Sequence, residues 1–201
     1  MHTSRGFDRL VNFSDAVVAI AITLLILPLV ESVVEFDGDV SVFVLSNLYQ
    51  IFVFFLSFVV IGNFWMVHHR LYEKVTDYST PLIWANLLWL LSIVFLPFPT
   101  ELLANAEPHD KATYALYIGT MVVTTAATLL QQVIIVRAPN LQNEIARGTI
   151  RLLPAVTTTA LMIVSGVLAV FTPIGLWALL LLIFAGPLDS LIDRLSRKKP
   201  A

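Results

Sequence analysis

Six long apolar segments dominate this sequence, and they limit what it can fold into. A bilayer core takes about 20 predominantly apolar residues per helix. The segments run from about Phe13 to Val30, Phe43 to Val67, Pro81 to Leu103, Ala112 to Val136, Leu152 to Phe171 and Pro173 to Ile192. Of the 201 residues, 58% are hydrophobic and 13% charged. Soluble domains carry roughly 45–50% and about 25%. The expected fold is an all-α integral membrane protein with six transmembrane helices, forming a single domain over residues 1–201 without internal repeat or linker. The closest boundary is the Thr172-Pro173 turn. One kinked segment replacing the last two would need some forty membrane residues, about twice a normal span. The N-terminal run mimics a signal peptide, but Asp15 interrupts its start and no small-residue cleavage site follows. The chain has no cysteine, which excludes disulfides, thiolate chemistry and Cys-based metal sites.

Charge gives the crossings a direction. With six spans, one set of ends holds Arg5, Arg9, Arg70, Lys74, Arg137, Arg147, Arg151, Arg194, Arg197, Lys198 and Lys199, and the other holds only Lys111. Eleven of twelve basic residues on one side predict cytoplasmic N- and C-termini in a multi-pass plasma-membrane protein. Five or seven spans would scatter these residues. Glu31, Glu35, Asp37, Asp39, Glu101, Glu107 and Asp110 gather at the other side. Two readings apply to them: solvated loop residues, or a negative vestibule that concentrates cations. Topology explains the basic residues, so nothing calls for nucleic acid.

The first segment carries unusual polar residues. Arg9 precedes Phe13, Ser14 and Asp15, and a carboxylate at this depth should face the bundle interior and find a partner. Arg9 and Asp15 are six residues apart and do not share a helix face. Local capping by Ser14 or Asp15 is the alternative. Trp65, His68 and His69 end the second span at the same depth, and Asn86 lies one or two turns into the third. Each has an ordinary interfacial reading alone. Converging at one depth, they predict a buried polar network, since each would be unsatisfied in hydrocarbon.

The run Arg9-x-x-x-Phe13-Ser14-Asp15, with Ala16-Val17-Val18-Ala19-Ile20 and Thr23-Leu24-Leu25, resembles the signature of the prokaryotic relatives of the lysosomal potassium channel called transmembrane protein 175. The resemblance continues through Gly62-Asn63-Phe64-Trp65-Met66-Val67-His68-His69, then Asn86-Leu87 and Phe95-Leu96-Pro97-Phe98-Pro99. It covers spans one to three. It implies a homotetramer of six-helix subunits, with a central pore lined by the first helix and conduction of K+ in preference to Na+. No Thr-Val-Gly-Tyr-Gly filter is present, and the resemblance implies none. It places the polar network on Arg9, Phe13, Ser14, Asp15, Trp65, His69 or His68, and Asn86, as a tie between helices and not an ion contact.

Ile20, Leu24 and Leu27 recur at helical spacing on one face, with Glu31 continuing the stripe and Thr23 beside it. In one isolated bundle this is packing. Around a four-fold axis it becomes an apolar constriction that gates by excluding water. The resemblance implies the narrowest point at Ile20, further rings at Leu24 and Leu27, and a selectivity role for the Thr23 hydroxyl. Glu31 as an outer acidic ring follows from spacing. Such a constriction has no strong ion ligands, so K+ would permeate without a cofactor, with other monovalent cations or protons as alternatives. Thr120, Thr124, Thr128, Gln131, Gln132 and Thr157, Thr158 and Thr159 suit interhelical contacts. Pro97 and Pro99 are expected to end or kink span three.

The competing reading is a secondary transporter, proton-coupled through Asp15 and a histidine. The sequence argues against it with no inverted repeat and no evident pair of Gly/Pro-broken helices. The absence of His-Glu-x-x-His, Gly-x-Ser-x-Gly and Cys nucleophiles argues against an enzyme.

Overall fold

The computed structural model describes residues 4–34, 36–105, 110–145, 147–188, 190 and 192. The α-helices in chain order are α1 (Ser4–Leu24), α2 (Leu27–Val34), α3 (Val40–Ser46), α4 (Leu48–Tyr72), α5 (Thr80–Phe95), α6 (Pro97–Asn105), α7 (Lys111–Arg137) and α8 (Leu153–Phe171). Five stretches are long and apolar enough to cross a membrane: Gly6–Val34, Leu48–Tyr72, Thr80–Asn105, Lys111–Arg137 and Leu153–Phe171. The chain is a helical membrane protein. The expected sixth crossing corresponds to a shorter apolar run, Gly175–Leu188. Residues Gly175–Phe184 of that run wind as a 3-10 helix. At about 2.0 Å per residue, this winding reaches further than an α-helix of the same length. The turn before it is tight because Gly175 takes φ +57°, with the Tyr114 ring 3.2 Å from where a Cβ would sit.

Two spans are broken by proline. Pro28 has no N–H for the Leu24 carbonyl, and its ring crowds that carbonyl. α1 therefore stops at Leu24 and α2 resumes at Leu27, with Ile26 N–H reaching Thr23 O at 3.4 Å. Pro97 acts alike in the third span. Leu96 N–H turns to Ile93 O at 3.2 Å, and α6 carries the span on to Asn105. Pro97 thus kinks this span and does not end it. The expectation that no pair of proline-broken helices exists is corrected here. Hydropathy runs unbroken through both prolines, so the break at Pro28 escapes a reading by segment length, while Pro97 kinks its span as expected.

α7 is the centre of the subunit. It packs on α5 and α8, and half of its most apolar window is buried, against 17% for the first span. Trp89, Tyr117, Ile61, Ile118 and Met121 anchor the main core. Small hydroxyls stitch the helices. Ser57 Oγ lies 2.9 Å from the Tyr117 hydroxyl, Thr100 donates to Ser57 at 3.0 Å, and Ser165 donates to Ala178 O at 2.9 Å. Thr124 lies 2.9 Å from Ser92 Oγ, as interhelical packing requires. Thr120, Thr128 and Thr159 instead bond carbonyls of their own helices. A threonine hydroxyl one turn on can always reach that carbonyl. Gln131 reaches Ala85 O at 3.5 Å.

A second core of Phe7, Leu71, Tyr72, Val75, Leu82, Ile135 and Leu141 closes the end that carries the basic residues. There the loops after α4 and α7 pair: Thr76 N–H donates to Leu141 O at 2.9 Å and Asn143 N–H to Lys74 O at 3.0 Å. Arg194, Arg197, Lys198 and Lys199, and the acidic Glu35 and Glu107, lie outside the described residues, as does the Arg5 side chain.

Candidate functional site

Two hydrogen-bonded units tie α1 to α4 and α5. In the first, Asn86 is fully buried on α5, and its Oδ1 lies 2.8 Å from His68 Nε2. Asn86 Nδ2 donates to Ser14 Oγ at 2.9 Å, and the Ser14 hydroxyl donates to Leu10 O at 2.9 Å. The donors run one way, so Asn86 Oδ1 must accept and His68 Nε2 must carry the hydrogen. In the second, the Trp65 indole N–H donates to Asp15 Oδ1 at 2.8 Å. The units adjoin because Ser14 and Asp15 are consecutive while Trp65 and His68 are one turn apart.

Aromatic rings seal the first unit. His68 lies between Trp89, at 4.0 Å, and Tyr72, at 4.2 Å, with near-parallel planes, and Phe7 stacks beyond Tyr72 at 6.0 Å. Tyr72 and Trp89 did not stand out in the sequence. Their signal was helical spacing alone: Tyr72 is four residues after His68 and Trp89 three after Asn86.

The structure brings together Ser14, Asp15, Trp65, His68 and Asn86. Of the two histidines, His68 joins the network. His69 stacks on Trp65 at 5.3 Å and approaches Glu73 at 3.5 Å on the exposed side. Arg9 is exposed with no ion pair among the described residues, because six residues turn it away from Asp15. Phe13 is also exposed, at 53%.

The expected pore residues lie on the exposed side of the first span, Ile20, Thr23 and Leu24 on α1 and Leu27 and Glu31 on α2. Phe7, Ser14, Val18, Ala21 and Leu25 are buried. Asn12, Ala16, Ala19, Ile20, Thr23, Leu24, Leu27 and Glu31 are exposed. Ile20 is 60% exposed, Leu24 40% and Leu27 48%. The Pro28 kink falls between Leu24 and Leu27, so the stripe bends there. The Thr23 hydroxyl donates to Ile20 O at 2.8 Å, which leaves its lone pairs outward. Among the described residues no cluster of His, Asp and Glu is arranged to hold a metal ion.

Residues 9–97 match the family model of the endosomal/lysosomal potassium channel TMEM175. A potassium channel of Chamaesiphon minutus is 40% identical over 111 residues, 53% of this chain and 54% of that protein. A potassium channel of Chryseobacterium sp. is 33% identical over 129 residues, 63% of this chain and 64% of that one. The matched region thus spans less than two thirds of these curated relatives. The crystal structure of a lysosomal potassium-selective channel TMEM175 homolog from Chamaesiphon minutus superposes with a TM-score of 0.60 at 26% identity, covering 91% of this chain and 97% of that one. The matched segment holds the whole polar network and the exposed stripe, and over that segment this chain is similar to the TMEM175 potassium channel family.

Proposed function

We propose that this chain is the subunit of a homotetrameric potassium-selective channel of the plasma membrane, with six crossings and the basic end, including both termini, in the cytoplasm. The first span lines a central pore, and rings of Ile20, Leu24 and Leu27 form the constriction. Thr23 contributes to selection, and Glu31 forms an outer acidic ring. The network of Ser14, Asp15, Trp65, His68 and Asn86 holds the pore helix on its scaffold.

One observation carries this reading: the mixed character of the exposed face of the first span. Val156, Ile163, Val164, Val167 and Phe171 make the exposed face of α8 wholly apolar, as lipid requires. The exposed face of the first span instead interleaves Asn12, Thr23 and Glu31 with its apolar residues. In lipid the Asn12 amide and the Glu31 carboxylate would be unsatisfied. Around a wet axis they are solvated, and the apolar rings between them set the barrier.

The test is Ile20→Asn in planar bilayers under K+/Na+ gradients. The constriction becomes wetter, so conductance rises and the reversal potential moves toward lower K+ selectivity. Unchanged current and reversal potential would remove Ile20 from the pore wall. The paired breaks at Pro28 and Pro97 favour a second reading, a secondary transporter, since broken helices build ion sites in that class. A channel dissipates a K+ gradient passively, whereas an antiporter needs a counter-gradient.

A further inference from the structure

Two cavities join along the groove between α4 and α8, with α7 as its floor. One, of about 170 Å³, has Asn63 of α4, Thr125, Thr128 and Gln132 of α7, and Thr158 of α8 in its walls. The other, of about 450 Å³, is walled by Val60, Met121, Met162, Leu179 and Leu182. Asn63, Phe64 and Thr158 line both, so the two form one continuous hollow. Neither lining contains a charged residue. The size and the few polar groups at one end of an apolar wall are those of a small-molecule site, which runs to about 300–1,000 Å³.

The polar end is short of acceptors. Thr125 and Thr128 commit their single O–H to Val122 O and Thr124 O, each at 3.0 Å. Asn63, Gln132 and Thr158 make no hydrogen bond among the described residues. Their N–H and O–H donors lie within membrane spans, where an unmet donor is costly. Depth indicates what meets them. Gln132 is five residues before the end of α7 at Arg137, and Thr158 is five residues after the start of α8 at Leu153. Each is therefore about 7.5 Å inside its helix end. The layer between headgroups and hydrocarbon is about 5–8 Å thick on each side. With Arg137 at the headgroups, the donors reach the level of the lipid esters. From there the lining becomes apolar toward the middle of the membrane on all three helices: Val67 to Leu56 on α4, Gln132 to Met121 on α7, Pro154 to Met162 on α8. The rim is exposed and apolar at Val59, Leu180 and Ile183, continuous with the lipid-facing side of α8.

We propose that this groove binds one phospholipid from the leaflet at the basic end, with its ester carbonyls accepting from Asn63, Gln132 and Thr158 and one acyl chain laid along the apolar cavity. The uncharged lining suits the esters and leaves the phosphate outside, at the depth of Arg137. The order of polarity along the groove is that of the lipid itself: ester first, then hydrocarbon. The site rests on the membrane fold alone and is independent of the channel reading. A lipid seated there bridges α4 and α8 and braces the 3-10 segment against the bundle.

The experiment is native mass spectrometry of the delipidated full chain in detergent, titrated with dioleoyl phosphatidylcholine or with its diether analogue. The two probes share headgroup and chain length, but the diether has no ester carbonyl. The diester binds to saturation at one lipid per chain, and the diether binds roughly tenfold more weakly, as loss of one or two hydrogen bonds implies. This comparison needs no variant. Gln132→Leu and Asn63→Leu keep an apolar surface in the membrane and reduce the preference for the diester. Ala185→Trp, in the wall of the apolar cavity, weakens both lipids alike. The proposal is overturned if diester and diether bind the wild-type chain equally, which is the behaviour of lipid held only as a solvent shell. It is also overturned if the preference survives in both leucine variants. Dissociation of the assembly by Ala185→Trp with lipid binding intact would overturn it too, since a second copy of the chain would then occupy the groove.

Discussion

At the scale of single residues, the network contains two bonds of unequal weight. Asn86 is fully buried and serves two partners, His68 and Ser14, on two other helices. Asn86→Ala strands a buried imidazole N–H, which costs about 1–3 kcal/mol. Trp65→Phe removes one bond to a half-buried carboxylate, and water can replace it at the membrane edge. Its cost is about 0.5–1.5 kcal/mol. Unfolding in mixed detergent micelles should rank the variants in that order. If Trp65→Phe proved the more damaging, Asp15 would be the true anchor of the first span and Asn86 secondary.

At the scale of elements, helix ends and helix breaks do different work. Asp110 caps α7, accepting from the Ala112 N–H and the Thr113 hydroxyl, and these bonds hold its carboxyl below the ordinary value of 3.8. A lowered folded value means that the cap stabilises fully above 3.8 and fades as pH falls through the folded value. Asp110→Ala should therefore lower the melting temperature near neutral pH. The gap to wild type should close as pH drops well below 3.8. A gap independent of pH would mean that the charge on Asp110 contributes nothing to the cap. Asp39 caps α3 in the same way through Ser41. The breaks at Pro28 and Pro97, by contrast, fall inside membrane spans, where Ile93 O regains a donor from Leu96 N–H, and both prolines line one pocket.

At the scale of the molecule, the subunit buries α7 and leaves the first span poorly covered. On the proposed reading, other copies of the chain complete a span with polar residues on its outer face. Native mass spectrometry should find four chains of 22.3 kDa together. Asp15→Ala should reduce the tetramer fraction by loosening the first span from Trp65. A variant that assembles fully yet loses conduction would make Asp15 an ion- or proton-binding carboxylate. The sequence alone determined the crossings at α4, α7 and α8, the single basic side, and the membership of Ser14, Asp15, Trp65 and Asn86 in one layer. All of these follow from one-dimensional rules: segment length against bilayer thickness, charge alternation, and the cost of polar groups at depth. The tertiary structure decided what depends on how helices rotate against each other. It chose His68 over His69, because only one of two adjacent residues can face Asn86. It turned Arg9 away from Asp15 and enclosed His68 between Tyr72 and Trp89. It also brought two distant prolines to one pocket, since a break in a helix carries no hydropathy signal until its neighbour is in place.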